Sequence, residues 1–478
     1  MKLSDLVLTA PYLDLGPIFY HETTPSPLKN ARLLSYNPDS ARLLGLSPDT
    51  LEAAELVSLL NGRLLPKGGR YYAMCYAGHQ FGHYVPRLGD GRAINLGKTG
   101  GWNLQLKGSG QTLYSRQGDG RAVLRSSIRE YLMSEAMAGL GIPTSRALAI
   151  ITSDEPVARE RWETGAIVMR MAPSWIRFGS FEYFFHSNRH AELEKLADFL
   201  LNESFPELAH GPEPYVAMFG EIVRRTAELI ARWQSVGFNH GVMNTDNMSA
   251  AGITIDYGPF AFMDTFESGY VCNHTDTYGR YSYDSQPGIG LWNLQRLALA
   301  LSPLIPQAKL EEQLQRYAGW FSAKLTELLR VKLGLEEPRE DDPELFRSLF
   351  RVLESGRVDM TPFFRTLSRF DGEREALLAL SLTPEVLEEW LDVYEARLAD
   401  NRKTTAQRHQ EMLRTNPKYV LKNHILQEAI DQARKEDFSL VDDLLVLARD
   451  PYGEHPRFER YAHPTPHPLT NLKLSCSS

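Results

Sequence analysis

The chain has 478 residues, of which 43% are hydrophobic and 23% are charged. That length exceeds what one hydrophobic core normally supports, so two or three packed lobes are expected. A net charge of −8 argues against electrostatic binding of nucleic acid. No apolar stretch reaches the length of a membrane span, and the N-terminus lacks a basic segment. We therefore expect a cytoplasmic protein that binds neither nucleic acid nor membrane.

The first predicted elements are two strands and a helix between them. Residues 102–107, WNLQLK, alternate apolar and polar side chains, which predicts a half-buried strand with Lys107 on its polar face. The next segment, AVLRSSIREYLMSEAMAGLGIP, has apolar residues at helical spacing. It predicts a helix that carries Glu130 and ends at Gly139 or Gly141. The run GAIVMRM predicts a second strand.

A long helix and a polar loop follow. Pro214 suits the first turn of that helix, and Gly237 suits its C-terminal end. The apolar run ITID predicts a short buried strand that ends at Asp256. Beyond residue 290 the periodicity is almost wholly helical.

This order of elements predicts an α+β protein with a two-lobed protein-kinase-like fold. We expect an N-terminal extension over 1–70 and a nucleotide-binding lobe over 71–185. A second lobe with the metal and catalytic loop would span 186–300. A mostly helical C-terminal region with a redox-capable tail would span 301–478. No low-complexity linker separates these parts, so a continuous packed body is expected.

Several charged residues suggest a phosphate site. The sequence GDGRA occurs twice, at 89–93 and 118–122, and predicts either two turns or two places where backbone N–H groups approach phosphate. Lys107 and Glu130 match an ion pair that positions nucleotide phosphates, although Glu135 is a rival on the same helix. Arg170 and Arg177 suit phosphate oxygens, or else structural salt bridges.

The strongest signal is the loop HGVMNTDNMSAAGITIDYGPF, residues 240–260. Asn247 and Asp256 have the spacing of kinase metal ligands, and Mg²⁺ bound to a nucleotide needs little more from the protein. The position of the kinase catalytic base, however, holds Val242. The nearest carboxylate that could take a proton instead is Asp246.

At these residues the chain resembles the selenoprotein O family (SelO, called YdiU in bacteria), over nearly its whole length. The resemblance implies a protein adenylyltransferase that moves AMP from ATP to Ser, Thr or Tyr hydroxyls of other proteins. It implies Mg²⁺ or Mn²⁺ as cofactor, with UTP as a substitute nucleotide, and ATP bound in a flipped orientation. The blocks that carry it are YAGHQFGHYVPRLGDGRA, LQLKGSGQTLYSRQGDGRAVLRSSIREYLMSEAM, LGIPTSRALA, MRMAPSWIRFGSFE and the loop at 240–260.

The resemblance also assigns roles residue by residue. It makes Asp246 the catalytic base and Asn247 and Asp256 the metal ligands. A tail cysteine stands where vertebrate relatives carry selenocysteine, which implies a redox role and a hypothetical disulfide between Cys272 and Cys476. The implied nucleotide-binding residues are Gly89, Gly91, Arg92, Lys107, Asp119, Gly120, Glu130, Arg170, Arg177 and Asp256.

Two alternatives stay open at this point. The chain could be an atypical kinase that transfers the γ-phosphate, since the HG pair at 240–241 occurs in small-molecule phosphotransferases. It could also be a non-catalytic nucleotide-binding scaffold. The absence of a base at Val242 opposes the first, and the complete set of Lys107, Asn247 and Asp256 opposes the second.

Overall fold

A computed structural model describes residues 1–470 and residue 472. In this part the chain is a mixed α/β protein with one large sheet and many helices. The strands are β1 Tyr20–Glu22, β2 Arg32–Tyr36, β3 Tyr72–Met74, β4 Gly78–Gln80, β5 His83–Val85, β6 Ala93–Thr99, β7 Trp102–Lys107, β8 Ala122–Val123, β9 Arg146–Ala158, β10 Trp162–Ala172, β11 Phe238–Asn239 and β12 Ala261–Phe262. The helices are α1 Pro38–Leu43, α2 Ala53–Leu60, α3 Leu124–Gly139, α4 Phe178–His186, α5 His190–Ser204, α6 Pro214–Ser235, α7 Gln286–Leu301, α8 Gln307–Gln315, α9 Tyr317–Lys332, α10 Asp342–Ser355, α11 Met360–Leu367, α12 Glu375–Leu378, α13 Pro384–Leu398, α14 Thr405–Thr415, α15 Asn423–Ala433 and α16 Ser439–Arg449.

The large sheet is antiparallel, in the order β1-β3-β6-β7-β10-β9-β2, with β8 paired to β10. Both strands predicted near the site are present, as β7 and β10. Gln105 of β7 lies directly opposite Arg170 of β10. Because opposed residues of an antiparallel pair share a face, and so do residues two apart, Lys107 lies on that face too. The segment before residue 71 supplies β1 and β2 to the same sheet.

Helix α3 covers the face of the sheet and carries Glu130. It packs against β9 and β10 on one side and against α16 and α15 on the other. Its end is close to the predicted one, since the last helical residue is Gly139 and Gly141 adopts φ +72°. A positive φ costs glycine little, which is why the chain turns there.

The loop at 240–260 is closed at both ends by pairing of β11 with β12. Helix α6 begins at Pro214, as predicted, and Gly237 reverses the chain at φ +70°. Buried His240 then bridges the loop. Its Nε2 lies 3.1 Å from Ile255 O, and its Nδ1 accepts a hydrogen bond from Val242 N at 3.4 Å. Burial lowers the pKa of this imidazole, which favours the neutral form that the two contacts require.

The prediction of a strand that ends at Asp256 is wrong, because residues 253–256 form no strand. Only Thr254 of this run makes a bridge, to Thr144 and to Met248. Asp256 adopts φ +57°, a left-handed conformation that ends any extended run. Tertiary hydrogen bonds replace the sheet pairing, since Thr254 N donates to Pro143 O at 2.9 Å and Trp233 Nε1 donates to Thr254 Oγ1 at 3.0 Å. The apolar pattern therefore predicted burial correctly and the backbone conformation incorrectly.

The buried core links distant parts of the chain. One continuous cluster of buried apolar side chains runs from Tyr12 to Tyr461 and includes α3, α6, α15 and α16. A second cluster joins the segment around Phe266 to α9–α14. In the described part, no helix combines the length and the apolar character that crossing a membrane requires. The predicted domain boundaries stay a prediction.

We expect Lys332→Met to raise the melting temperature at pH 7 by at least about 2 °C. Lys332 is buried near the ring of Phe364, and burial lowers its pKa to about 7. Between that value and the ordinary pKa of a lysine in the unfolded chain, this amine is protonated only in the unfolded state. The wild type therefore gains stability as the pH rises through this range. The advantage of the variant should therefore shrink by pH 10. Calorimetry at both pH values tests this, with Lys195→Met at an exposed position of α5 as control. A gain that grows with pH contradicts the prediction.

Candidate active site

A cleft of about 560 Å³ lies where β7, α3 and the loop at 240–260 meet. Every nucleotide-binding, metal and catalytic residue predicted from the sequence lines it. The charged side chains on its walls are Lys107, Arg92, Arg116, Arg121, Arg159, Arg170 and Arg177, together with Asp90, Asp119, Glu130, Asp246 and Asp256. The cations outnumber the carboxylates, although the whole chain is acidic, which suits a polyanionic ligand.

The predicted pair of Lys107 and Glu130 is formed, with 2.6 Å between Nζ and Oε2. Both side chains are largely buried, so this is not an ordinary solvated pair. The rival Glu135 is occupied elsewhere, because it pairs with Arg146 at 2.6 Å. Burial opposes the charge of Glu130, but Lys107 and Arg170 outweigh it and lower the pKa of the carboxyl.

Asp256 is surrounded by three cations. Its carboxylate pairs with Arg170 at 2.5 Å, lies 3.7 Å from the Lys107 amine and pairs with Arg177. Burial opposes its charge, yet Arg177, Arg170 and Lys107 hold its pKa well below the usual range. The left-handed backbone at this residue directs the side chain to the meeting point of sheet, helix and loop. Asp256 is therefore an anion under ordinary conditions.

The two arginines also connect the elements around the cleft. Arg170 donates to Glu130 Oε1 at 2.8 Å and to Gln105. Arg177 donates to Asp246 O at 2.6 Å. Both guanidinium groups contact aromatic rings, at 4.7 Å from the ring centre of Trp175 and 4.8 Å from that of Tyr76. Of the two roles open for them, salt bridges within the protein are the ones present in this conformation.

Asp246 is the least satisfied carboxyl of the cleft. Its Oδ2 accepts a hydrogen bond from Gln80 Nε2 at 3.1 Å, whereas its Oδ1 is buried without a partner. Burial raises the pKa of Asp246 to about 7. A carboxylate with so high a pKa takes a proton more readily than an ordinary one. An unpartnered buried acceptor calls for an explanation, and at Asp246 its position in the cleft is consistent with a functional role.

The chemistry of Asn247 and Asp256 fits a hard divalent cation. Asn247 donates its amide hydrogen to Val242 O at 3.0 Å, which leaves the side-chain oxygen as its ligand atom. The described residues contain no cluster of three or more His, Cys, Asp or Glu that could hold an ion by themselves. One amide and one carboxylate are what Mg²⁺ takes from a protein when phosphate oxygens complete its shell.

The glycine loops bring backbone to the wall of the cleft. Gly89 and Gly120 have φ +64° and +70°, and a Cβ at either position would meet other atoms at 2.2 and 2.1 Å. The N–H groups of Gly89 and Gly91 donate to backbone carbonyls at 3.0 and 2.9 Å, rather than facing the cleft as free donors. The close approach of the backbone is thus present, and the N–H groups of Gly89 and Gly91 serve turns of the chain in this conformation.

Sequence reasoning did not name two side chains that hold predicted site residues in place. Gln80, whose Nε2 donates to Asp246 Oδ2, lies inside the motif GHQFGH, which is part of a block that carries the family resemblance. Arg159 binds Asp119 through two hydrogen bonds of 2.7 and 3.0 Å. No local pattern marks Arg159, because it lies at a turn between β9 and β10 that only the tertiary fold brings to the cleft.

Of the two cysteines in the predicted disulfide, the structure describes only Cys272. Cys272 is buried, and its Sγ lies 2.6 Å from Asn239 Oδ1 and 2.7 Å from Pro259 O, beside the loop at 240–260. Cys476 lies outside the described residues, so the disulfide stays a prediction.

The arrangement of a buried lysine–glutamate pair, a metal-type Asn–Asp pair and a basic cleft is typical of enzymes that bind nucleoside triphosphates. Comparison with known proteins is more specific. A sequence model described as "Protein adenylyltransferase SelO" matches residues 2–449. The chain belongs to this family, and it is a nucleotidyltransferase.

Three curated relatives align over almost their full length, each under the name "Protein nucleotidyltransferase YdiU". The relative from Myxococcus xanthus is 49% identical, over 98% of both chains. That from Aliivibrio salmonicida is 47% identical over 99% of both, and that from Thioalkalivibrio sulfidiphilus is 47% identical over 100% of both.

Proposed function

We propose that the chain is a protein adenylyltransferase that moves AMP from ATP to a Ser, Thr or Tyr hydroxyl of another protein and releases pyrophosphate. UTP would serve as a second nucleotide. The observation that carries the proposal is Asp246, a buried carboxyl with a free oxygen, in the cleft that holds the Lys107–Glu130 pair and Asp256. We also propose that the elements on the two sides of this cleft form the two lobes of a kinase-like fold.

Asn247 and Asp256 are the residues that would hold Mg²⁺ or Mn²⁺ together with the nucleotide. A divalent cation bound there supplies neutralisation of phosphate charge. Lys107 lies 3.7 Å from Asp256, so its amine would contact the same phosphates. Arg170 and Arg177 bind Asp256 in this conformation, and they would move part of their hydrogen bonding to the departing pyrophosphate.

Asp246 would orient the acceptor hydroxyl and take its proton. Gln80 donates to one oxygen of the carboxylate, and the other has no hydrogen-bond partner within the protein. Val242 has no group that can accept a proton, so the acceptor cannot be activated from the position used by kinases. A base adjacent to Asn247 favours attack at a different phosphorus, the α-phosphate of the flipped nucleotide.

The test compares ATP labelled on the α-phosphate with ATP labelled on the γ-phosphate. Purified protein is incubated with each, with Mg²⁺ or Mn²⁺, in the presence of casein as a general acceptor. We expect only the α-label to enter protein, with one pyrophosphate released per AMP transferred, and α-labelled UTP to enter also. Transfer of the γ-label alone would overturn the proposal in favour of a kinase, and transfer of neither would favour a scaffold.

A further inference from the structure

Arg129 precedes Glu130 on α3 and is one of the most enclosed cations of the protein. It is 6% exposed. Its Nη1 donates to Asn423 Oδ1 at 3.0 Å, and its Nη2 donates to Phe260 O at 2.9 Å. The guanidinium also lies over the ring of Phe260, 4.2 Å from its centre. One side chain thus joins α3, the segment four residues after Asp256, and the first residue of α15.

The partners of Arg129 are as buried as the arginine itself. Phe260 is fully buried and Asn423 is 5% exposed. Burial lowers the pKa of Arg129 to about 10, so it remains charged at neutral pH. A buried cation needs its hydrogen bonds, because water cannot replace a lost partner. The three segments are therefore held in one relative position while Arg129 stays in place.

Helix α16 is connected to α3 at two further places, one of them through Ser35 of β2. Tyr131 OH lies 3.0 Å from Ser35 Oγ, which donates to Asp442 of α16 at 2.6 Å. At the other end of α3, a Cβ at Gly139 would lie 2.0 Å from Ala448 O. Helices in such close contact do not rotate independently. Since successive helix residues point about 100° apart, residues 129 and 131 anchor α3 on either side of Glu130.

We propose that Arg129 is a positioning residue, which joins α3 to α15 and thereby holds Glu130 against Lys107. This role rests on the proposed function, in which the lysine contacts the nucleotide phosphates. In this role the C-terminal helices α15 and α16 support catalysis by fixing the position of α3, although neither lines the cleft. If α3 shifts, the amine of Lys107 loses the carboxylate that now lies 2.6 Å away.

The variant Arg129→Met replaces the guanidinium by an unbranched apolar side chain and removes the hydrogen bonds to Asn423 and Phe260. We expect it to weaken binding of ATP with Mg²⁺ by about tenfold, as measured by calorimetry, and to lower the rate of AMP transfer by on the order of 100-fold. Asn423→Ala removes a single partner and should give a smaller loss of the same kind. Asn423→Asp keeps an acceptor oxygen, so it should retain affinity close to that of the wild type.

The matched control is Arg365→Met, which removes another buried arginine, one that donates to backbone carbonyls and to the carboxylate of Glu454. Arg365 donates to Leu413 O at 2.8 Å and to Asn416 O at 3.0 Å, within the C-terminal region. We expect it to lower the melting temperature as much as Arg129→Met does, with ATP affinity unchanged. Equal losses of affinity in the two variants, or none in either, would overturn the role of Arg129.

Calorimetric binding keeps this result separate from the proposed function. If the wild type binds ATP and transfers only the γ-label, the adenylyltransferase proposal fails while the affinity series still decides the role of Arg129. If Arg129→Met does not fold, Asn423→Ala against Asn423→Asp decides it alone. A folded Asn423→Ala with wild-type affinity and rate would then overturn it.

Discussion

Replacing Asp256 by asparagine is expected to lower nucleotide transfer by about 10³-fold or more, because the proposed cation loses its only carboxylate ligand. The change should also lower stability. The carboxylate compensates Arg170, Arg177 and Lys107, and the two guanidinium groups are 2–3% exposed. Removing one partner of such a buried network typically costs roughly 3 kcal/mol or more. One substitution therefore affects both catalysis and folding.

A control separates these two effects. Asp342→Asn breaks a buried ion pair with Arg397, of 2.7 Å, in the C-terminal region away from the cleft. It should lower the melting temperature comparably and leave transfer, measured with α-labelled ATP at a temperature where both variants are folded, near the wild-type rate. If Asp256→Asn retains more than about a tenth of the activity, Asp256 does not hold the cation.

Short-range patterns place Lys107 on a strand and Glu130 on a helix, as the structure has them. Alternation along β7 puts Lys107 on the polar face, and the helical period of α3 places Glu130 opposite it. Both periodicities are properties of the local backbone, so they can be read from neighbouring residues. The choice between Glu130 and Glu135 was not local, since it depends on Arg146.

The conformation around Asp256 could not be predicted in the same way. Its positive φ is maintained by contacts to side chains from β7, β10 and the start of α4, which are distant in sequence. The same holds for Gln80, which reaches Asp246 from a short hairpin 166 residues away. Tertiary contacts of this kind override the local preference for a strand, and they cannot be predicted from a short stretch of sequence.

Asp246→Asn is the second substitution with a large expected effect, and its signature differs from that of Asp256→Asn. We expect the rate of AMP transfer to fall by about 10² to 10⁴-fold, because an amide cannot take the proton of the acceptor hydroxyl. Affinity for ATP should change little, since the amide oxygen still accepts the hydrogen bond from Gln80. Transfer of α-label and calorimetric binding measure the two quantities.

The stability of Asp246→Asn should rise rather than fall. Burial raises the pKa of Asp246 to about 7, so the folded protein above that pH holds a carboxylate that would be more stable in water. The unfolded chain loses this proton at lower pH, and the wild type therefore loses stability as the pH rises from about 4 to 7. A neutral amide removes that loss, and the melting temperature at pH 8 should exceed that of the wild type. An inactive but stabilised variant is what a buried base predicts; a destabilised one would identify Asp246 as a structural residue of the loop.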